Sequence, residues 1–464
     1  MERHPQYVRS SPPWRLALQA ARARTRVSLS PVTLLYAFGA LIVVGAAVLC
    51  LPASSAAGVR TSFLDALFTA ASAVCVTGLV VVDTGTHWSP FGQAVVLLLI
   101  QVGGFGFMTS ATLLLLAFGR RIGLRERLLI GDTIGSTAPG DLLSLVRKMA
   151  LFTFVAEALG ALVLLSRYVR LVDLSQGAWL SVFHSISAFN NAGFDINGGF
   201  VSLVPQRDDP FIVGTILVLL VVGGLSYVVV ANVAHERRLS RLTVDTKLVL
   251  VTSGVLLTLG FVAFLVAENG NDATIGSLPV SQKLLCALFQ SATPRTAGFT
   301  TVNIASMHDY TLLFTMFLMF VGGAAGSTAG GIKVNTFGLL ATTVVSTLHG
   351  REVAEAFGRR FTTGHVFRAL SVVLLALAFV GCAVVTLAIT EDADVLSAAF
   401  EAVSAFGTVG LSMGITPALS IAGRITIIVT MFVGRLGPLY VALALVQRQK
   451  PKDYYYPVES VRIG

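Results

Sequence analysis

The sequence predicts an all-α membrane protein in which four pseudo-symmetric helix–loop–helix repeats, with eight transmembrane spans in total, surround one central axis. The first observation is composition: the 464 residues have a mean hydropathy of +0.80, and only 12% of them are charged. Soluble domains carry roughly 25% charged residues, so the chain is expected in a membrane. The second observation is a motif that recurs four times, and the third is a banded distribution of basic residues.

One motif recurs along the chain and sets its organisation. Each copy runs from a phenylalanine, through small and hydroxylated residues, to a glycine that is followed by Leu or Phe. The four copies extend from Phe68 to Gly78, from Phe183 to Gly193, from Phe289 to Gly298 and from Phe400 to Gly410. The glycines are separated by 115, 105 and 112 residues, and a period of this length predicts a repeated structural unit.

Each unit contains two apolar spans with a shorter segment between them. The spans reach the roughly 20 residues that an α-helix needs to cross the hydrocarbon, whereas the shorter segments offer only about 12 helix-compatible residues. Irregular backbone is tolerated inside a membrane only where protein or a water-filled cavity satisfies it, so the shorter segments are predicted to re-enter the membrane around the axis. The predicted repeats comprise residues 31–119, 120–235, 236–349 and 350–447, with tails at 1–30 and 448–464.

The first short segment begins with a local helix signal. Ser62 and Asp65 have the spacing of a capping box, in which a serine side chain satisfies an unpaired backbone N–H group at the start of a helix. We therefore expect the Ser62 side chain to cap this helix.

The 33 Lys and Arg residues lie in bands along the chain. Most of them fall in the segments 3–26, 120–148, 237–247, 351–368 and 448–462, whereas Asp and Glu concentrate in the other connections. The positive-inside rule therefore places both termini and the basic segments in the cytoplasm. This pattern predicts a multi-pass protein of the cell's inner (plasma) membrane that contacts lipid, and it argues against nucleic-acid binding because no single basic surface collects the charge.

The motif glycines suggest a site for a dehydrated monovalent cation. A glycine in irregular backbone can take a positive φ, which lets successive carbonyl groups face an axis, and four copies give rings of oxygens that replace the ion's water shell. A tight turn or close packing explains a single copy more simply, but four copies at matched positions favour one central ion pore. The predicted ion-binding residues are Val76, Thr77, Gly78, Asn191, Ala192, Gly193, Thr296, Ala297, Gly298, Thr408, Val409 and Gly410. Nearby hydroxyl groups are expected chiefly to cap the short helices.

A glycine-rich run interrupts the second span of the third repeat. Val-Gly-Gly recurs at 102–104, 222–224 and 321–323, and small residues of this kind let helices approach closely or bend. The segment 310–348 is too long for one straight span, so the run is predicted to break the helix as an intramembrane gating loop over residues 322–335. The candidate gate residues in this loop are Gly322, Gly323, Gly326, Ser327, Thr328, Gly330, Gly331 and Lys333.

Arg435 stands at the position of the second glycine of Val-Gly-Gly in the other three repeats, namely Gly104, Gly224 and Gly323. An arginine within an apolar span costs about 2.5–3.5 kcal/mol on insertion scales, and such residues usually mark a functional path. Arg435 is therefore a further candidate gate residue, acting as an electrostatic barrier on the ion path. Snorkelling, or an ion pair with a residue such as Glu157, is the alternative. Lys333 is expected either to tether the loop to a carboxylate or to carbonyl groups, or to snorkel towards the cytoplasm.

No side chains in the sequence have the spacing of a catalytic site. The run 326–333 lacks the Gly-Lys-Ser/Thr of a phosphate-binding loop, and His235-Glu236 lacks the second histidine of a metalloprotease motif. We therefore expect that the chain is not an enzyme and that it binds no cofactor of its own.

At the four glycine segments, the loop 322–333 and Arg435, the sequence resembles the Trk/Ktr/HKT superfamily of potassium transporters, and its Ktr branch most closely. The resemblance covers essentially the whole chain beyond the N-terminal tail. It implies potassium uptake through a selectivity filter formed by the twelve predicted ion-binding residues, with K⁺ as the only metal ion bound. Pro294, beside Arg295 in the third segment, is a departure from the other repeats.

The resemblance also implies partners and regulation. Ktr-type membrane subunits form homodimers on a cytosolic ring of RCK subunits of the KtrA type, which bind nucleotide and control the loop gate, and transport is typically stimulated by Na⁺. Two alternatives stay open, namely a sodium-conducting or poorly selective cation transporter and a non-conducting membrane scaffold.

Overall fold

The structure, a computed structural model, describes residues 31–105 and 142–438. The predicted tails at 1–30 and 448–464 lie outside the described residues. So do the end of the first repeat and the start of the second, residues 106–141, and the end of the fourth repeat after residue 438.

Each repeat contains a first helix, a short helix and a second helix. The first helices are Pro31–Leu49, Leu142–Tyr168, Val244–Glu268 and Thr363–Thr390. The short helices are Phe63–Cys75, Leu174–Phe189, Val280–Ala292 and Val395–Gly407. The second helices are Pro90–Gly104, Pro210–Gly224, Asp309–Phe320 and Ile421–Leu436.

Smaller elements connect these helices. In the second repeat, Tyr227–Glu236 follows the second helix after a bend of 94°. In the third repeat, Val334–Leu348 follows the second helix after residues 321–333, which we call the glycine-rich loop. A two-stranded antiparallel hairpin pairs Glu355–Ala356 with Arg359–Arg360. The remaining elements are the helical turn Thr84–His87 and the 3₁₀ helices Pro52–Ser54, Val204–Gln206, Leu239–Arg241, Ile304–Ser306 and Thr416–Ala418.

Three helices in the described part of the chain are long and apolar enough to cross a membrane. They are the first helices of the second, third and fourth repeats, and the bent pair 210–224 and 227–236 adds a fourth if it counts as one span. The second helices are only 12 to 16 residues long, so they end before the predicted second spans do. In the third repeat the helix breaks at the glycine-rich run, as predicted.

In the first, second and fourth repeats, the first glycine after the valine at 102, 222 or 433 lies against the short helix of its own repeat. A methyl group added to Gly103 would lie 2.2 Å from the carbonyl oxygen of Val74. A methyl group added to Gly223 would lie 1.9 Å from the carbonyl oxygen of Phe189, and one added to Gly434 would lie 2.0 Å from the carbonyl oxygen of Phe406. Only glycine, which has no Cβ atom, permits so close a backbone approach.

The four repeats close into a ring through their helix contacts. Each first helix packs on the short helix of its own repeat. The second helix of the first repeat packs on the short helix of the second repeat, and the same relation holds from the second to the third, from the third to the fourth, and from the fourth back to the first. The aromatic residues that open the motifs, Phe68, Phe183, Phe289 and Phe400, are fully buried in these contacts.

The second helices of the first and second repeats begin with ordinary capping chemistry, whereas the first short helix does not. The side chains of Ser89 and Asp209 accept hydrogen bonds from the first turns of their second helices, each with proline at the first position. The predicted capping box at Ser62 is wrong, because its side chain makes no capping hydrogen bond. Asp65 is instead bound by the guanidinium of Arg424 from the fourth repeat.

Candidate functional site

The four glycine segments, residues 76–78, 191–193, 296–298 and 408–410, share one backbone conformation. Their glycines have positive φ values of 91°, 69°, 78° and 91° in chain order. The residues two positions earlier, Val76, Asn191, Thr296 and Thr408, also have positive φ, between 50° and 76°. Non-glycine residues rarely adopt this conformation, so its fourfold occurrence at matched positions is a property of the site rather than of one turn.

The four motif glycines stand in a closed ring. A methyl group added to each would lie close to the carbonyl oxygen that precedes the motif glycine of the next repeat. These distances are 2.4 Å from Gly78 to Ala192, 3.0 Å from Gly193 to Ala297, 2.3 Å from Gly298 to Val409 and 2.2 Å from Gly410 to Thr77. The order of contacts, from repeat one through four and back to one, encircles a single axis lined by main-chain atoms.

Hydroxyl groups of the short helices hold the glycine segments from behind. In the first and fourth repeats, Ser72 and Ser404 accept hydrogen bonds from the motif-glycine N–H groups, at 3.0 and 3.2 Å. In the second repeat, Ser187 donates at 2.6 Å to the carbonyl of Phe194, which follows the glycine. Thr293 makes the equivalent bond in the third repeat. These hydroxyl groups therefore fix the backbone of the glycine segments, whereas the sequence suggested that they cap the short helices.

A layer of buried polar side chains, behind the glycine segments, was not predicted from the sequence. The residue after each motif phenylalanine is polar and buried in all four repeats, and these residues are Thr69, His184, Gln290 and Glu401. Gln290 donates at 2.8 Å to the hydroxyl of Thr300, two positions past its motif glycine. Glu401 accepts from Thr416, which in turn contacts Ser412 at the same position past Gly410. Aligning the four motifs at their phenylalanines would have revealed this layer.

The glycine-rich loop packs directly against the glycine segments. Methyl groups added to Gly330 and Gly322 would lie 2.1 Å from the Thr408 hydroxyl and 3.3 Å from the methyl carbon of Thr296. The Ala324 N–H donates at 2.9 Å to the carbonyl of Gly224, where the second helix of the second repeat ends. The loop thus touches three repeats at the level of the short-helix C-termini.

Two backbone hydrogen bonds close the neck of the loop. The Gly322 N–H donates to Ile332 at 2.8 Å, and the Val334 N–H donates to Gly323 at 3.0 Å. Lys333 donates through Nζ to the carbonyl of Ala329, so its tether is to a carbonyl group, one of the two partners expected for it. Most of the loop is buried, and its exposed residue is Ala325.

Arg435 bridges the loop and the first repeat. Its guanidinium donates through Nη1 to the carbonyl of Thr328 and through Nη2 to the carbonyl of Gly103. Gly103 lies in the last turn of its helix, where carbonyls lack intrahelical partners and a cation is favoured by the helix dipole. The ion pair considered with Glu157 is wrong, because Glu157 accepts at 2.8 Å from the side chain of Asn190. Through Arg435 the loop is connected to all four repeats.

The third glycine segment keeps the common backbone despite Pro294. Thr296 and Gly298 have positive φ values of 76° and 78°, as in the other repeats. Arg295 turns away from the axis and donates to the side chain of Ser253 at 3.0 Å. The proline therefore changes the end of the short helix and leaves the segment itself in place.

Comparison with known proteins gives consistent matches along the chain. The TrkH family model, described as a cation transport protein, matches residues 19–454. The Ktr system potassium uptake protein B of Bacillus subtilis is 40% identical over 434 residues, which cover 94% of this chain and 96% of the relative. The potassium/sodium uptake protein NtpJ of Enterococcus hirae is 36% identical over 450 residues, with 96% and 99% covered.

A solved structure has the same fold. The crystal structure of the potassium transporter TrkH from Vibrio parahaemolyticus superposes with a TM-score of 0.71 and covers 91% of this chain and 86% of that one. The two sequences are only 19% identical, so this comparison shows that the two chains share a fold and shows nothing more.

Proposed function

Because this chain belongs to the TrkH family of cation transport proteins, we propose that it is a potassium uptake transporter, and not an enzyme, whose selectivity filter is the ring of four glycine segments. The closed ring of carbonyl contacts from Gly78 through Gly193, Gly298 and Gly410 carries the proposal. Main-chain oxygens around one axis can replace the water shell of a monovalent cation. K⁺ is then the cargo, bound by the twelve residues of the segments, and the chain itself holds no cofactor.

A sodium-conducting or poorly selective transporter is the second candidate. The relative from Enterococcus hirae is named a potassium/sodium uptake protein, which favours keeping this alternative. Against it, all four segments here end in glycine, whereas members of the superfamily that this sequence resembles tend toward sodium when serine replaces the first glycine.

The glycine-rich loop is proposed as the gate. It packs beneath the filter against Thr296 and Thr408, and Arg435 connects it to the first repeat. A buried loop at this level obstructs an ion that leaves the filter, and the Arg435 charge adds an electrostatic barrier. Conduction therefore requires that the glycine-rich loop, residues 321–333, moves aside; the predicted bounds of 322–335 overran it, because residues 334 and 335 begin the next helix.

Assembly and regulation follow from the resemblance to Ktr systems. We propose a homodimer in the plasma membrane, with cytoplasmic termini, on a cytosolic ring of RCK subunits that bind nucleotide and drive the loop. Na⁺ is proposed as an activator of transport. The naming of two Bacillus subtilis relatives as proteins B and D of a Ktr system supports a multi-component transporter.

Growth at limiting K⁺ tests the proposal. The chain is expressed in a bacterium that lacks its own potassium uptake systems, with and without a cognate RCK subunit. We expect rescue that becomes stronger with the partner, and uptake of ⁸⁶Rb⁺ that excess K⁺ inhibits more strongly than excess Na⁺. Equal inhibition by both ions would favour the poorly selective alternative. No rescue, with the protein present in the membrane, would favour a sodium-conducting transporter or a non-conducting scaffold.

A further inference from the structure

Asn335 connects the exposed apex of the glycine-rich loop to a different helix. It lies in the first turn of Val334–Leu348, just after the loop. Its Oδ1 accepts a hydrogen bond from the Ala325 N–H at 2.9 Å, and its Nδ2 donates to Oδ1 of Asp245. One side chain thus binds the loop and the first helix of the third repeat at the same time.

The chemistry of the two contacts requires an amide at position 335. The Ala325 N–H can only donate, and an ionised Asp245 carboxylate can only accept. An amide offers both an acceptor and a donor on one short side chain, and these two partners determine which way it points. Aspartate at 335 would keep the bond to Ala325 but place two carboxylates together.

Asp245 brings a surface element into this connection. It lies in the first turn of Val244–Glu268, after the N-cap Thr243, and its side chain is exposed. The helix begins within the basic segment 237–247, which the charge pattern places in the cytoplasm. Arg435 therefore holds the loop at Thr328 from the protein interior, whereas Asp245 and Asn335 hold it at Ala325 from the cytoplasmic side.

We propose that Asn335 is a positioning residue that couples the cytoplasmic end of the Val244–Glu268 helix to the loop, so that displacement of Asp245 releases the loop from beneath the filter. This inference rests on the proposed gate role of the loop. It identifies the exposed start of that helix as the point at which a cytoplasmic force reaches the gate. A hydrogen bond to a charged group is among the stronger kinds, which suits a contact that holds a loop closed.

Thiol accessibility tests the coupling without depending on transport. Ala329 is buried in the loop, so a cysteine there reacts with a membrane-impermeant reagent only when the loop leaves its place. The reporter is Ala329→Cys in the full chain, with Cys50 and Cys382 replaced by alanine because these two cysteines are not buried in the protein. Inside-out vesicles expose the cytoplasmic side.

We expect Asn335→Ala and Asp245→Ala each to raise the labelling rate at least about tenfold, as loss of a hydrogen bond to a charged group implies. The double variant should label no faster than Asn335→Ala, because Asp245 acts through Asn335. Asp245→Asn keeps a neutral bond and should give a smaller increase. Asn232→Ala is the matched control, since Asn232 accepts a bond from the Thr243 N–H at the start of the same helix and, within the described residues, makes no hydrogen bond to the loop.

Two results would overturn the inference. One is an unchanged labelling rate in both single variants, and the other is an additive increase in the double variant, which would mean that the two residues act independently. Asn335→Asp provides a second test if the alanine variant does not fold. ⁸⁶Rb⁺ flux is measured in parallel: a released loop with unchanged flux would count against the gate and leave the coupling intact.

Discussion

Three β-branched residues of the glycine segments, Val76, Thr296 and Thr408, hold a left-handed backbone conformation. For such residues this conformation costs of order 1–3 kcal/mol each, and it persists only where the surroundings impose it. Here the serine and threonine hydroxyls behind the segments supply that constraint. Strain at matched positions in a ring is typical of a functional site, because it keeps carbonyl groups in an orientation that relaxed backbone would abandon.

The first prediction concerns the motif glycines. Gly410→Ala should abolish ⁸⁶Rb⁺ uptake, because its methyl group would lie 2.2 Å from the Thr77 carbonyl in a backbone with φ of 91°. Gly193→Ala should retain part of the uptake but lose discrimination between K⁺ and Na⁺, since its nearest carbonyl is 3.0 Å away. Gly254→Ala, in open space on a membrane-spanning helix, is the control. Equal, wild-type selectivity in all three variants would contradict the filter assignment.

At the level of single elements, the cap of the fourth short helix gives a pH-dependent prediction. Asp394 accepts hydrogen bonds from the Ser397 hydroxyl and from its backbone N–H, and these bonds hold the pKa of Asp394 below its ordinary value. A depressed pKa means that the cap stabilises the fold fully above the unfolded pKa of about 3.9, and that this stability is lost as the pH falls through the folded pKa.

Asp394→Ala should therefore reduce the free energy of unfolding by about 1 kcal/mol at pH 7, the usual cost of a lost N-cap. The apparent Tm in detergent should fall at pH 7, and the difference from wild type should narrow at pH values below about 4. Asp392→Ala is the control, because this exposed carboxylate in the same connection makes no hydrogen bond within the described residues. If the difference in apparent Tm between wild type and Asp394→Ala did not change with pH, the cap would not depend on the charge of Asp394.

The glycine-rich loop gives the second prediction at the element scale. Shortening residues 326–331, or replacing Arg435 with alanine, should raise K⁺ flux in the absence of an RCK partner, because each change removes contacts that hold the loop beneath the filter. Flux into proteoliposomes is the measurement. Arg360→Ala, which removes an exposed arginine from the hairpin, is the control and should leave the flux unchanged. A folded Arg435→Ala protein with no flux would disprove the barrier.

At the scale of the whole molecule, the ring closes between the fourth and first repeats. The guanidinium of Arg424 binds Asp65 at the start of the first short helix, and its Nε donates to the Leu419 carbonyl at 2.9 Å. This ion pair is about four-fifths buried, so it joins the two repeats more firmly than an exposed pair would.

Removal of Arg424 should therefore loosen both the fold and the filter. We expect Arg424→Ala to lower the apparent Tm and to weaken K⁺ over Na⁺ selectivity, because Gly410 and Thr77 face each other across the same junction. Asp65→Ala should lower the same two quantities, and the Asp65→Ala/Arg424→Ala double variant should lower them by less than the sum of the two single effects. Arg360→Ala, which breaks an exposed pair with Glu355, should change neither quantity. Independent, additive effects would show that the pair does not connect the repeats.

The sequence by itself determined the local features of this protein. It predicted a helix of about 12 residues before each motif glycine, and the helices Phe63–Cys75 and Val395–Gly407, of 13 residues each, lie directly before the segments of Gly78 and Gly410. It also predicted the break in the third repeat, because helix propensity and the permissive backbone of glycine act over neighbouring residues.

The tertiary structure alone decided which residues meet. Arg435 binds Gly103 and Thr328 rather than Glu157, and Asp65 binds Arg424 rather than capping its own helix. Those partners are separated by more than 100 residues, and no local pattern encodes them. They are set by the cyclic packing of second helices on the short helices of the next repeat, which brings unsatisfied helix-end carbonyls and buried charges together.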